Sequence, residues 1–89
     1  MGIEIVAYDR GDKGYVAGRE IKRQMTDKGL AIYLEDAARI PREKMLKGSK
    51  NLPTLLYIEY VSSHHEDMHF LASELANPEP IKFEIDSGE

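Results

Sequence analysis

Tyr15-Val16-Ala17-Gly18-Arg19-Glu20-Ile21-Lys22-Arg23-Gln24-Met25-Thr26-Asp27-Lys28 carries Ala17, Ile21 and Met25 at spacings of four. That pattern predicts a helix over 15–28, with Lys22 and Arg23 facing away and Gly29 in the left-handed position past its end. Before it, Ile3 to Tyr8 alternates, Ile3, Ile5 and Ala7 against Glu4, Val6 and Tyr8, as a strand does. Asp9 to Gly14 reads as loop, with Asp12 as the helix N-cap. After it, Leu30, Ile32 and Leu34 alternate with Ala31, Tyr33 and Glu35 as a second strand. In the connection from Asp36 to Pro53, Pro41 opens a short helical turn through Leu46, and Gly48-Ser49-Lys50-Asn51 reads as loop.

Thr54 to Val61 is rich in aromatic and β-branched residues and predicts a third strand. Ser63 and Glu66 have capping-box spacing, which predicts a second helix with Met68, Leu71, Ala72 and Leu75 as its apolar stripe. Asn77-Pro78-Glu79-Pro80 stops it. Ile81, Phe83 and Ile85 alternate with Lys82, Glu84 and Asp86 as a fourth strand, and Ser87-Gly88-Glu89 reads as a frayed end. The resulting order, β-α-β-β-α-β, predicts an α+β ferredoxin-like fold. Its four-stranded antiparallel sheet would carry both helices on one face. That fold hosts many unrelated functions, so function has to come from the site.

The chain has 89 residues, enough for a single domain spanning 1–89. With 42% hydrophobic and 31% charged residues it has the profile of a folded domain rather than a disordered tail. The absence of Cys excludes disulfides, a thiolate nucleophile and thiolate-held metals. No apolar run reaches membrane-spanning length. Met1-Gly2-Ile3-Glu4 lacks the basic start of a signal peptide, so the expectation is a cytoplasmic protein without a membrane segment.

Charge is divided along the chain. Residues 1–50 hold 11 basic and 8 acidic groups, whereas residues 51–89 hold 8 acidic groups and only Lys82. Such a split means either internal complementarity or two faces with different partners. Arg39, Arg42, Lys44, Lys47 and Lys50 form the densest basic run, either a solvated connection or a docking patch for an anionic partner. The net charge of −4 disfavours nucleic acid.

Alternation places Val6, Tyr8, Tyr33, Leu55, Tyr57 and Val61 on the open face of the predicted sheet, with Glu4, Glu35, Glu59, Lys82 and Glu84. Such a face suits a contact surface, and a two-fold homodimer packs in this way. Phe70 falls on the outer side of the predicted second helix among Glu66, Ser73 and Glu74, which suggests an acidic second contact surface.

His65-Glu66-Asp67-Met68-His69 spells H-E-x-x-H on a predicted helix. It resembles the signature of the zinc metallopeptidases known as zincins. On that resemblance His65 and His69 would hold zinc and Glu66 would be the general base. Glu74, Glu79 or His64 would have to supply the third ligand, and no H-x-x-G-x-x-H continuation follows. The alternative is a set of solvated histidines near a helix start. Arg10-Gly11-Asp12 matches an integrin-binding tripeptide and reads as an ordinary loop.

The expected function is a non-catalytic protein-interaction or regulatory module without cofactor. It would be a homodimer acting through Tyr8, Tyr33 and Tyr57 and through Glu66, Phe70 and Glu74, and its acidic face could serve an inhibitor or a nucleic-acid mimic. One alternative is a small zinc-dependent hydrolase using His65, His69 and Glu66. The other is an RNA-binding domain using the tyrosines and the Arg39–Lys50 segment.

Overall fold

The computed structural model describes residues 2–45 and 52–86. Its elements are β1 (Gly2–Asp9), a 3-10 turn (Gly11–Lys13), β2 (Tyr15–Thr26), β3 (Gly29–Ile40), α1 (Arg42–Met45), α2 (Leu52–Ser63), β4 (Glu66–Leu71), a second 3-10 turn (Ala72–Glu74) and β5 (Asn77–Asp86). The strands form one five-stranded sheet in the order β4-β3-β2-β1-β5, with every neighbouring pair antiparallel.

This overturns the ferredoxin-like expectation of four strands and two helices. Residues 15–18 are strand because both their faces are buried, and residues 19–26 continue it as a ladder partner of β3. Tyr15 and Ala17 join the core under α2, while Val16 joins a second core on the other side. A spacing of four is a multiple of two, so Ala17, Ile21 and Met25 fit a strand's period as well as a helix's. Gly18 sits where a Cβ would lie 2.9 Å from the Ala37 Cα, so its lack of a side chain lets β2 and β3 approach closely.

Residues 54–61, expected as strand, lie within α2. Leu52, Leu56, Tyr57, Tyr60 and Val61 follow i, i+4, i+5, i+8, i+9 spacing and pack on the sheet, and Pro53 occupies the first turn, where it lacks no needed donor. Residues 66–71, expected as helix, are strand. Met68, Phe70 and Ala72 alternate into the second core, while Asp67 and His69 point out. The turn expected after Pro41 is present as α1, and its continuation through residues 46–51 lies outside the described residues.

The sheet is strongly curled. β1 and β4 are three positions apart, about 14 Å if the sheet were flat. Yet the Tyr8 and Phe70 rings meet edge to face at 5.5 Å across the concave side. The 3-10 turn after β4 closes the same end, with the Ala76 N–H donating to the Asp9 carbonyl at 2.9 Å and Arg10 bridging to Glu74 at 2.9 Å. Curling gives two cores. Val6, Tyr8, Val16, Ile32, Leu34, Ala37 and Phe70 fill the concave side, while Ile5, Ala7, Tyr15, Ala17 and Ile40 meet α2 on the convex side.

β3 bends at a bulge between Leu34 and Ala37, where Asp36 adopts a left-handed conformation with φ 53°. The Tyr57 hydroxyl donates to the Asp36 carbonyl at 2.8 Å and so ties α2 to the bulge. Burial first, and then the Asp36 charge, push the Tyr57 pKa up, which keeps the hydroxyl a donor. Tyr57→Phe should therefore lower stability by about 1 kcal/mol in urea unfolding, the net worth of one such bond with its acceptor left unmet.

Candidate functional site

The three tyrosines expected on one open face do not share a surface. Tyr8 is 0% exposed in the concave core, and Tyr57 is buried between α2 and the sheet. Tyr33 alone reaches solvent, half-buried on the convex side of β3. Its ring stacks on His69 at 5.2 Å, and Lys22 Nζ lies 4.7 Å from its centroid, so neighbours from β4 and β2 already engage it.

The acidic second helix is absent, and its expected contact residues are engaged within the chain. Glu66 pairs with Arg39, Glu74 pairs with Arg10, and Phe70 is buried with the Arg10 guanidinium 5.6 Å from its ring centroid. Both ion pairs join the basic first half of the chain to the acidic second half. Arg42 is likewise held by Asp9 at 2.7 Å. Lys47 and Lys50 of the basic run lie outside the described residues. The Arg10 side chain is only 16% exposed, so Arg10-Gly11-Asp12 is not displayed as an open loop.

The H-E-x-x-H stretch loses the helix its chemistry needs. His65 precedes β4, and Glu66 to His69 lie along it. In a strand, residues four apart are about 13 Å apart along the chain, too far to share one ion. His65 Nδ1 instead lies 2.9 Å from the Val61 carbonyl, and His69 stacks on Tyr33. Among the described residues, no group of three or more His, Asp or Glu side chains is placed to hold a metal ion.

One polar network reaches into the concave core. The Tyr8 hydroxyl donates to Glu20 Oε1 at 2.5 Å, Arg23 Nε donates to Glu20 Oε2 at 2.8 Å, and Arg23 Nη2 donates to the Tyr8 oxygen at 2.9 Å. Burial, then the Glu20 bond, push the Tyr8 hydroxyl up to about 12. Burial alone would raise the Glu20 carboxyl, but the bonds from Arg23 and Tyr8 outweigh it and hold the group below its ordinary 4.5. Asp9 is also held low, first by the Gly11 N–H and, against burial, by Arg42.

These shifts set the pH profile. The depressed carboxylates add stability above about pH 4.5, which is lost as pH falls through their lower folded-state values. The raised Tyr8 adds stability below pH 10, lost as pH climbs from 10 towards about 12. Urea midpoints across pH should show both losses. Glu20→Gln should flatten the acid limb, and Tyr8→Phe the alkaline one.

α2 supplies one of the surfaces that remain open, beside Ile21 and Met25 at the far end of β2. Of its twelve residues only Glu59 is charged, and apolar side chains occur on all its sides. Leu56 and Tyr57 are buried, but Leu55 is 61% and Ile58 46% exposed. Beside its C-terminal half runs a groove of about 310 Å³, walled by Ile3, Val61 and Ile85, with Arg19, Asp36 and His65 at its polar positions. Leu55 was legible from the sequence as a surface residue. Ile58 was missed, because a strand reading over 54–61 turns it toward the core. No helix among the described residues is long and apolar enough to cross a membrane. The chain matches no protein-family model, and no curated protein or solved structure matches it either.

Proposed function

We propose that the chain is a non-catalytic protein-interaction module that assembles with itself, using the outer face of α2 as contact surface. The observation that carries this reading is the composition of α2 set against its coverage. A helix that is apolar all round belongs in an interior, yet here one side is covered and Leu55 and Ile58 are not.

Leu55→Glu combined with Ile58→Glu tests the reading. Both positions are exposed, so the monomer's stability should change by only about 0.5 kcal/mol or less. Self-association should weaken by about a hundredfold, as expected when apolar anchors are replaced by charges at a desolvated contact. Analytical ultracentrifugation reads both chains over the same concentrations. Equal association of the two chains would contradict the reading.

A further inference from the structure

β5 is an edge strand of the sheet, bonded to β1 on one side only. Its first part is blunted by Pro78 and Pro80, which cannot donate to a new ladder. The segment Ile81-Lys82-Phe83-Glu84-Ile85 has no such guard, and Ile81 is 41% exposed. This five-residue stretch is self-complementary. If an antiparallel copy is laid beside it and centred on Phe83, Phe83 meets Phe83, Ile81 meets Ile85, and Lys82 meets Glu84 on both sides of the axis. Moving the centre to Lys82 or to Glu84 opposes like charges instead.

The pairing within one chain leaves a mismatch at the same place. Glu84 stands directly opposite Glu4 of β1, and Lys82 opposite Val6. Like charges facing each other across strands are destabilising. Among the described ion pairs none includes Glu4, Glu84 or Lys82, although the Lys82 charge does reach Glu20. A second copy would set its Lys82 against Glu84 from the open side and offset the repulsion from Glu4.

From this we infer that two copies join edge to edge through β5, centred on Phe83, to form one continuous ten-stranded antiparallel sheet. The inference rests on the reading that the chain assembles with itself and adds the β5 edge to the α2 contact surface. The two-fold axis of such a pair is perpendicular to the sheet, so α2, which packs on the Phe83 and Ile85 side, and its copy lie on the same face and flank the seam.

Charge exchange tests the register. Lys82→Glu sets two carboxylates face to face on both sides of the axis, and Glu84→Lys sets two ammonium groups there. Each single variant should associate about tenfold or more weakly than the unmodified chain, since two attractive pairs become repulsive. The double variant Lys82→Glu, Glu84→Lys restores both pairs and should recover association. An equimolar mixture of the two single variants, one of them uniformly labelled with nitrogen-15, should form heterodimers, which native mass spectrometry then separates by mass, so misfolding of either single variant cannot mimic the expected result. Single variants that associate as well as the unmodified chain, or a double variant as weak as the singles, would overturn the β5 pairing. If association survives those changes and is lost in Leu55→Glu, Ile58→Glu, the β5 pairing is wrong and the α2 reading stands. An unmodified chain that stays monomeric to about 100 µM overturns both.

Discussion

Phe70→Ala is expected to remove about 3–5 kcal/mol of folding stability, the range for deleting a buried phenylalanine side chain. Phe70 is 4% exposed, lies opposite Ile32 in the β3–β4 ladder, packs edge to face on Tyr8 at 5.5 Å and carries the Arg10 guanidinium over its ring. It is therefore the main apolar contact that holds β4 against β1 across the concave side. A domain of this size has about 5–15 kcal/mol in total, so the loss takes about a fifth of it or more. Urea unfolding followed by far-UV circular dichroism measures the change. Were residue 70 on the exposed side of a helix, the same substitution would change stability by only about 0.5 kcal/mol, so the result also distinguishes the two folds.

Gly14→Ala should be comparably severe, at about 3 kcal/mol or more, from backbone strain plus a steric clash. Gly14 ends the first 3-10 turn with φ 85° and ψ −146°, a conformation that residues with a Cβ avoid. A Cβ there would lie 2.5 Å from the Ile40 carbonyl oxygen and 3.2 Å from the Arg42 nitrogen. The N–H of Gly14 donates to the Gly11 carbonyl at 2.9 Å, and its own carbonyl accepts from the Arg10 N–H at 2.8 Å. Relief of the clash would have to move the β3 end away from the turn and disturb the Arg42–Asp9 pair at 2.7 Å. A large drop in the thermal midpoint is the expected reading, with an altered near-UV signal from Tyr15, on whose ring the Arg42 guanidinium rests at 5.6 Å.

Three strands were legible because alternation alone identifies them. Ile3 to Tyr8, Leu30 to Glu35 and Ile81 to Ile85 lie within β1, β3 and β5. Three other stretches were not, each for a physical reason. Ala17, Ile21 and Met25 satisfy periods of 2 and of 3.6 together. The β-rich composition of residues 54–61 is outweighed by the packing of Leu52, Leu56, Tyr57, Tyr60 and Val61 on the sheet, which only a helix permits. At 65–69 the capping-box spacing of Ser63 and Glu66 suggested a helix, while the alternation of Met68, Phe70 and Ala72 was the signal that mattered. Each exchange of helix for strand also moved the site. Tyr8 and Tyr57 left the surface because the sheet curls over one and the other lies on the side of α2 that packs on the sheet, while Ile58 entered it. The self-complementary order of residues 81–85 is visible in the sequence, but it has meaning only once β5 is known to be an edge.

Sedimentation velocity on the unmodified chain tests most directly whether the open face of α2 receives a second copy, as proposed. Between about 1 and 100 µM the weight-average mass should rise from 10.1 kDa towards twice that value, with the Leu55→Glu, Ile58→Glu chain remaining at the lower mass throughout. A single 10.1 kDa species for the unmodified chain at every concentration would contradict the account.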